Sequence, residues 1–193
     1  MSVRSSFHIL LPAVLMLIFG QAAYARRDKA GLYQSPKGIG ATVMFDSPRD
    51  DAMNVFTLRT DFYGFLSGRT ERIGAFLSYT HDYCFFRTEG DDFSLFLHAG
   101  AGASLGFAHD YEKGIFSSFE RALTHAPGFV AALAGNVGLC VDFERRLSVD
   151  ISFSLDPGIH LRTDPSTGAL LLSFYHNGIY RGYYPQINLM YRF

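Results

Sequence analysis

The stretch Phe93–Ala108, FSLFLHAGAGASLGFA, decides the fold class of this chain. Its odd-numbered residues are apolar throughout, whereas its even-numbered residues are mostly Gly, Ser and Ala and include His98. Successive side chains of a β-strand point to opposite faces. An alternation with a period of two therefore predicts a long strand that has one apolar face and one face of small and polar residues.

The same alternation recurs along most of the chain. It is clearest over Leu147–Asp156 and over the last residues, and it is weaker but recognisable elsewhere. We therefore predict eight strands, which cover residues 37–46, 54–66, 71–83, 93–108, 129–141, 147–156, 169–175 and 186–193.

Charged side chains are confined to the less apolar face of these strands. They are Asp46, Arg59, Asp61, Arg72, Asp82, Asp142, Asp150, Asp156 and Arg192. A charge on the lipid face of a barrel costs about 2–4 kcal/mol at the bilayer midplane, so a bilayer would enforce this segregation. A soluble barrel is the alternative, but its solvated face should be rich in Lys and Glu. We predict an all-β, eight-stranded antiparallel transmembrane up-and-down barrel.

The composition agrees with a barrel rather than with membrane helices. The chain is 48% hydrophobic and 16% aromatic, and it contains no Trp. After the first twenty residues, no apolar run approaches the roughly 20 residues that a membrane helix needs. A net charge of −1 gives no reason to expect nucleic acid as a partner.

Residues 1–25 have the layout of a secretory signal peptide. Arg4 precedes an apolar stretch from Ile9 to Phe19, and Ala23 and Ala25 form an A-x-A cleavage site. We predict cleavage after Ala25 and export of the rest. Residues 26–36 would then form a short N-terminal segment, and residues 37–193 the barrel.

The chain ends in PQINLMYRF, with apolar or aromatic residues at every second position: Ile187, Leu189, Tyr191 and Phe193. This ending resembles the assembly signal of bacterial outer-membrane barrels, which implies recognition by the barrel-assembly machinery. By size and strand count, the chain resembles the small OmpA/OmpX-like class. More loosely, it is similar to uncharacterised Bacteroides-type barrels around Gly100-Ala101-Gly102 and the Tyr-Arg-Phe end. The resemblance implies the outer membrane of a Gram-negative bacterium, with contacts to its lipids and lipopolysaccharide.

The connections between the predicted strands conflict with the usual barrel topology. An even strand number places both termini in the periplasm, where turns are short. Counting the eight runs puts the long 109–128 segment there and the short 142–146 segment outside. The conflict disappears if the strands are miscounted by one upstream of residue 109 and by one downstream of residue 146. Residues 157–182 could, for example, form one long outer loop with its own hairpin. Residues 109–128 contain a capping-box pattern, Ser117 to Glu120, so this connection is either a short amphipathic helix or an irregular loop.

Metal-ligand and catalytic patterns are weak. The histidines lack the spacing of zinc motifs, and His98 is the best single catalytic candidate. Cys84 and Cys140 lie at strand ends with a strand between them, which favours two free thiols over a disulfide. We expect no cofactor, no metal site and no enzymatic activity.

The charged groups on the small-residue face are better explained as a structural network. The set that we expect in the lumen is Arg59, Asp61, Arg72, His98 and Asp150. Buried charges must pair, and an eight-stranded barrel is just wide enough inside to be filled by side chains. We expect a monomeric barrel with a filled lumen and a structural or surface-interaction role. The alternatives are a small channel for apolar or small solutes and a lipid-modifying hydrolase.

Overall fold

The computed structural model describes residues 28–36, 38–47, 51–62, 72–108, 128–143, 146–163, 168 and 170–193. The predicted signal peptide and the predicted helix in 109–128 lie outside these residues. Among the described residues, there is no helix with the length and apolar character that a membrane crossing requires. The strands are β1 (Lys29–Ser35), β2 (Gly38–Asp46), β3 (Ala52–Asp61), β4 (Gly74–Glu89), β5 (Phe93–Ala108), β6 (Gly128–Phe143), β7 (Leu147–Leu155), β8 (Gly158–Thr163), β9 (Leu170–Phe174) and β10 (Gln186–Arg192). A short helix, α1 (His176–Tyr180), and one 3-10 turn, Arg181–Tyr183, separate β9 from β10.

The sheet closes on itself. From β1 to β7 each strand pairs antiparallel with the next, and β10 pairs with β7 on one side and with β1 on the other. This arrangement confirms the predicted fold class, a closed antiparallel barrel of eight strands.

Two of the eight positions in the barrel wall are each shared by two strands. The strand β6 pairs with β7 through its second half and with β8 through its first half, so β7 and β8 follow one another in the same position. Pro157 lies between them, and proline cannot donate a ladder hydrogen bond. The strand β9 forms a hairpin with β8, and the chain then passes through α1 into β10, which continues the last position.

The structure thus differs from the predicted strand list at both ends of the chain. The segment 26–36, predicted to lie outside the barrel, contains β1. The predicted strands 169–175 and 186–193 are two parts of one wall position rather than neighbours. The alternation of the sequence does not predict β1, because Leu32 is the one large apolar residue on its outward face. Lys29 and Tyr33 are buried on the other face.

These differences remove the conflict over the connections. The end of the barrel that holds both chain termini, here called the termini end, has the connections 47–51, 90–92 and 144–146. The opposite end, the loop end, has 36–37, 62–73, 109–127 and 164–169. The longest connections therefore gather at the loop end, as a miscount of strands on both sides of 109–146 would require. Residues 157–182 are not an outer loop, however, because β8 pairs with β6 in the wall and β9 pairs with β8.

Candidate functional site

The centre of the lumen is an imidazole held between two carboxylates. His98 of β5 faces Asp82 of β4 through Nδ1 at 2.9 Å and Asp150 of β7 through Nε2 at 2.8 Å, and all three side chains are buried. Asn136 donates to Asp82, and Asn188 donates to Asp150, each at 2.8 Å. Both ring nitrogens donate only in the imidazolium form. The geometry therefore fits a positive charge between two negative ones.

Glycine makes room for this central cluster. Gly138 lies opposite His98 in the ladder, and Gly100 lies opposite Asp82. A methyl group added at Gly138 would press on the His98 ring, and one added at Gly100 would overlap the Asp82 carboxylate. The small residues of the inward faces are thus matched to the large polar groups that share the lumen.

A second cluster lies on the loop-end side of the first. Arg59 of β3 is buried and donates to Asp156 and to Ser78. Its guanidinium carbon lies 5.2 Å from the centroid of the Phe76 ring, a cation–π contact. Phe76 stacks in turn on Tyr175, with ring centroids 5.5 Å apart and Tyr175 fully buried. Phe76 and Tyr175 belong to a buried apolar cluster that includes Val130 and Ala132.

A third cluster fills the lumen near the termini end. The Lys29 ammonium lies 2.6 Å from the Asp142 carboxylate, which also accepts from Arg192 and, at 2.6 Å, from Ser148. Lys29 and Arg192 belong to β1 and β10, the first and last strands, and they are ladder partners. One acceptor on β6 therefore ties both strands of the β1–β10 pair to a strand that neighbours neither of them.

A cavity of about 40 Å³ lies beside the central cluster and the second cluster. A water molecule needs roughly 10–15 Å³ measured in this way, so the cavity has room for about three. Most of the residues that line it are polar, among them Arg59, Asn136, Asp150 and Asp156. The space suits ordered water rather than an organic solute.

The predicted lumen residues are not all in one place. Arg59, His98 and Asp150 are buried in the lumen. Asp61 is half-buried at the end of β3, where the Tyr175 hydroxyl lies 3.4 Å from its carboxylate. Arg72 precedes β4 and is exposed, so it is not part of the central network.

Some members of the network were not singled out from the sequence. Lys29 is not among the predicted lumen residues, because residues 26–36 are predicted to lie outside the barrel. Asn136 and Asn188 carry no charge, so the test of charge segregation did not detect them. Their inward position in alternating strands was the available signal.

Cys84 and Cys140 are free thiols in the structure. Cys140 is buried, with its sulfur 4.0 Å from the Lys29 ammonium, and β5 separates the two cysteine strands. Within the part of the chain that the structure describes, no three His, Cys, Asp or Glu side chains gather as a metal site.

The outer wall is apolar. Large hydrophobic side chains are exposed around the ring, among them Leu32 at 67%, Leu133 at 71% and Leu172 at 67%. No outward-facing residue of the described strands is Asp, Glu, Lys or Arg. Exposed aromatic residues concentrate near the strand ends: Tyr83, Phe85, Phe86, Phe93, Phe143, Tyr191 and Phe193 at the termini end, and Phe107, Phe129, Phe174, Tyr183 and Tyr184 towards the loop end.

The C-terminal residues that resemble an outer-membrane assembly signal lie on this outer wall. Ile187, Leu189, Tyr191 and Phe193 are each about half exposed. The chain matches no protein-family model, and neither the curated proteins nor the solved structures give a match.

Proposed function

We propose that the protein is a membrane-spanning barrel of the outer-membrane type, with a lumen filled by its own side chains and a non-enzymatic structural or surface-interaction role. The outer wall carries this proposal, because large apolar side chains face outwards while the charged ones face the lumen. In water this surface would be an apolar patch far larger than the few hundred Å² that soluble monomers expose. A lipid bilayer is the solvent that matches it.

The ends of the barrel support an orientation within that bilayer. Outer-membrane barrels have girdles of aromatic residues at both interfaces, short periplasmic turns and longer extracellular loops. The exposed aromatic residues near both ends correspond to the girdles. We therefore infer that the termini end faces the periplasm and that the loop end, with 62–73, 109–127 and 164–169, offers the surface for interaction.

The partners that we propose follow from the same location. The signal-like residues 1–25 favour export, and the alternating strand β10 favours recognition by the barrel-assembly machinery. That recognition would use Ile187, Leu189, Tyr191 and Phe193, which point outwards. The outer wall would contact outer-membrane lipids and, on the loop-end side, lipopolysaccharide.

The contents of the lumen favour a filled, non-catalytic barrel. They argue against the two alternatives, a small channel and a hydrolase. Three charged clusters are stacked along it, and the cavity beside them has room for only about three waters. Both ring nitrogens of His98 are engaged by carboxylates, so neither is placed to take a proton from a nucleophilic hydroxyl.

Gel mobility and conductance test the proposal together. The purified protein, folded in detergent or lipid vesicles, should migrate faster on a gel when unheated than after boiling, because a closed barrel stays compact. In planar bilayers it should give no steady conductance. A protein that folds in buffer without detergent would contradict the membrane assignment, and stable open channels would favour the small-channel alternative.

A further inference from the structure

One group of polar side chains breaks the apolar outer wall. Asn54 of β3 accepts hydrogen bonds through Oδ1 from the Tyr79 hydroxyl and from His81 Nδ1 of β4, each at 2.9 Å. We call Asn54, Tyr79 and His81 the outer polar trio. All three point away from the lumen, since their neighbours along the strands point into it.

Tyr79 and His81 lie near the middle of β4, and Asn54, the third residue of β3, is paired with His81. His81 is in register with Ala101 of β5, and Ala101 is in register with Gly135 at the centre of β6. The other outward polar residues of the described strands lie near strand ends: Gln34, Thr60, Thr88 and Thr163. If the barrel spans a membrane, as proposed above, the trio faces the hydrocarbon region, where no headgroup or water can pair with it.

The three side chains of the trio hold one another in place, but some of their hydrogen-bond donors and acceptors are not used within the trio. An amide oxygen can only accept, so His81 Nδ1 carries the proton, and in the neutral ring Nε2 remains an acceptor. The two Nδ2 hydrogens of Asn54 remain available as donors. Tyr83 packs edge-on against the His81 ring at 5.0 Å, and Phe56 lies 5.0 Å from the Tyr79 ring, so the arrangement is held in place.

We propose that this face is where a second copy of the chain associates within the bilayer. The trio is self-complementary, because across a two-fold axis the Asn54 amide of each copy can donate to His81 Nε2 of the other. Such an isologous contact uses the same patch on both copies. The neighbouring outward residues Ala99, Ala101 and Gly135 are short, which allows close approach, and polar groups within lipid favour association. The proposal rests on the membrane-spanning function and replaces the monomer expected from the sequence.

Thiol crosslinking in vesicles tests the proposal. The two-fold axis runs between β3 and β4, so the Ala101 positions of two copies would lie about three strand spacings, roughly 14 Å, apart, which is too far for a disulfide. Ala101→Cys is therefore introduced in a chain that also carries Cys84→Ser and Cys140→Ser, and a bifunctional maleimide with a spacer of roughly that length reports whether two copies meet. The matched control is Leu32→Cys on β1, which lies at mid-strand on the opposite wall. We expect crosslinked dimers at Ala101→Cys and none above background at Leu32→Cys.

The hydrogen bonds are tested separately in the same Ala101→Cys background. Each of Asn54→Leu and His81→Phe should lower the dimer association constant about tenfold, the effect of losing two symmetric hydrogen bonds in lipid. Gln34→Leu, which removes an outward polar group elsewhere, should leave it unchanged.

Two kinds of failure can be told apart. Equal crosslinking at both positions, or crosslinking unaffected by Asn54→Leu and His81→Phe, would overturn the dimer while the unheated gel mobility still shows a folded barrel. Loss of that mobility shift in the unsubstituted chain would instead overturn the membrane-spanning function itself.

Discussion

His98 holds the centre of the lumen together, because its ring separates and neutralises the carboxylates of Asp82 and Asp150. We predict that His98→Leu lowers the free energy of unfolding by about 3–5 kcal/mol, since removing one partner leaves buried charges uncompensated. Urea unfolding in lipid vesicles measures the change. Adding Asp82→Asn and Asp150→Asn to His98→Leu should recover most of the loss. An undiminished stability of the single variant would show that the network is not needed.

Gly138 and Gly135 lie on the same strand, β6, but face the lumen and the outer wall respectively, so they allow the packing of the two faces to be compared. A methyl group at Gly138 would press on His98 Nε2 and on the Cβ of Ser152, whereas at Gly135 it would meet only ordinary contacts on the outer wall. We predict that Gly138→Ala destabilises the fold by about 1–3 kcal/mol through overpacking. Gly135→Ala should stay close to the unsubstituted protein in the same unfolding measurement. Equal effects of the two substitutions would mean that the lumen is not tightly packed at His98.

The alternation of the sequence predicts which face of the sheet a side chain occupies. It does not predict which residue that side chain pairs with. Alternation placed Arg59, His98 and Asp150 in the lumen, and they lie there. Their partners depend on how strands that are distant in the sequence are staggered around the ring, and no local pattern encodes that stagger. Arg72 is wrongly predicted to lie in the lumen, because the predicted strand begins at residue 71, three residues before the true start of β4.

The cost of placing a charge at an outward position of a strand distinguishes a barrel surrounded by lipid from one surrounded by water. Val137, near the middle of β6, is 49% exposed, and Leu170, at the tip of the β8–β9 hairpin, is 69% exposed. We predict that Val137→Arg lowers the free energy of unfolding in vesicles by about 2–4 kcal/mol, whereas Leu170→Arg costs about 0–1 kcal/mol near the interface. A barrel surrounded by water would tolerate both substitutions alike, and that result would contradict the lipid assignment.

The strand pattern predicts the correct number of wall positions but misassigns three of the segments that fill them. It omits β1 and β8, and it counts β9 as a position of its own. Long alternating strands such as β5 and β6 were recognised because every second residue is apolar on one face. The strand β1 has too few large outward residues to be recognised. The interruptions at Pro157 and α1 divide two wall positions in a way that only the ladder to β6 and β7 reveals.

At the scale of the whole molecule, the barrel is asymmetric along its axis. Short connections and both chain termini occupy one end, and the long connections occupy the other. Between the ends, three clusters of opposite charges fill the lumen, while the wall outside them is free of Asp, Glu, Lys and Arg in the described strands. Charge inside and apolar surface outside is the inverse of the usual soluble pattern, and the proposed bilayer location explains it.

The absence of Trp allows a direct test of that location, because any introduced Trp is a single fluorescent probe. Phe129→Trp, Val137→Trp and Phe143→Trp place the probe near the loop end, the middle and the termini end of the outer face of β6. In vesicles whose lipid chains carry bromine at their midplane ends, we predict the strongest quenching for Val137→Trp and weaker quenching for the other two. Equal and negligible quenching at all three positions, with the protein remaining in the aqueous phase, would contradict the account.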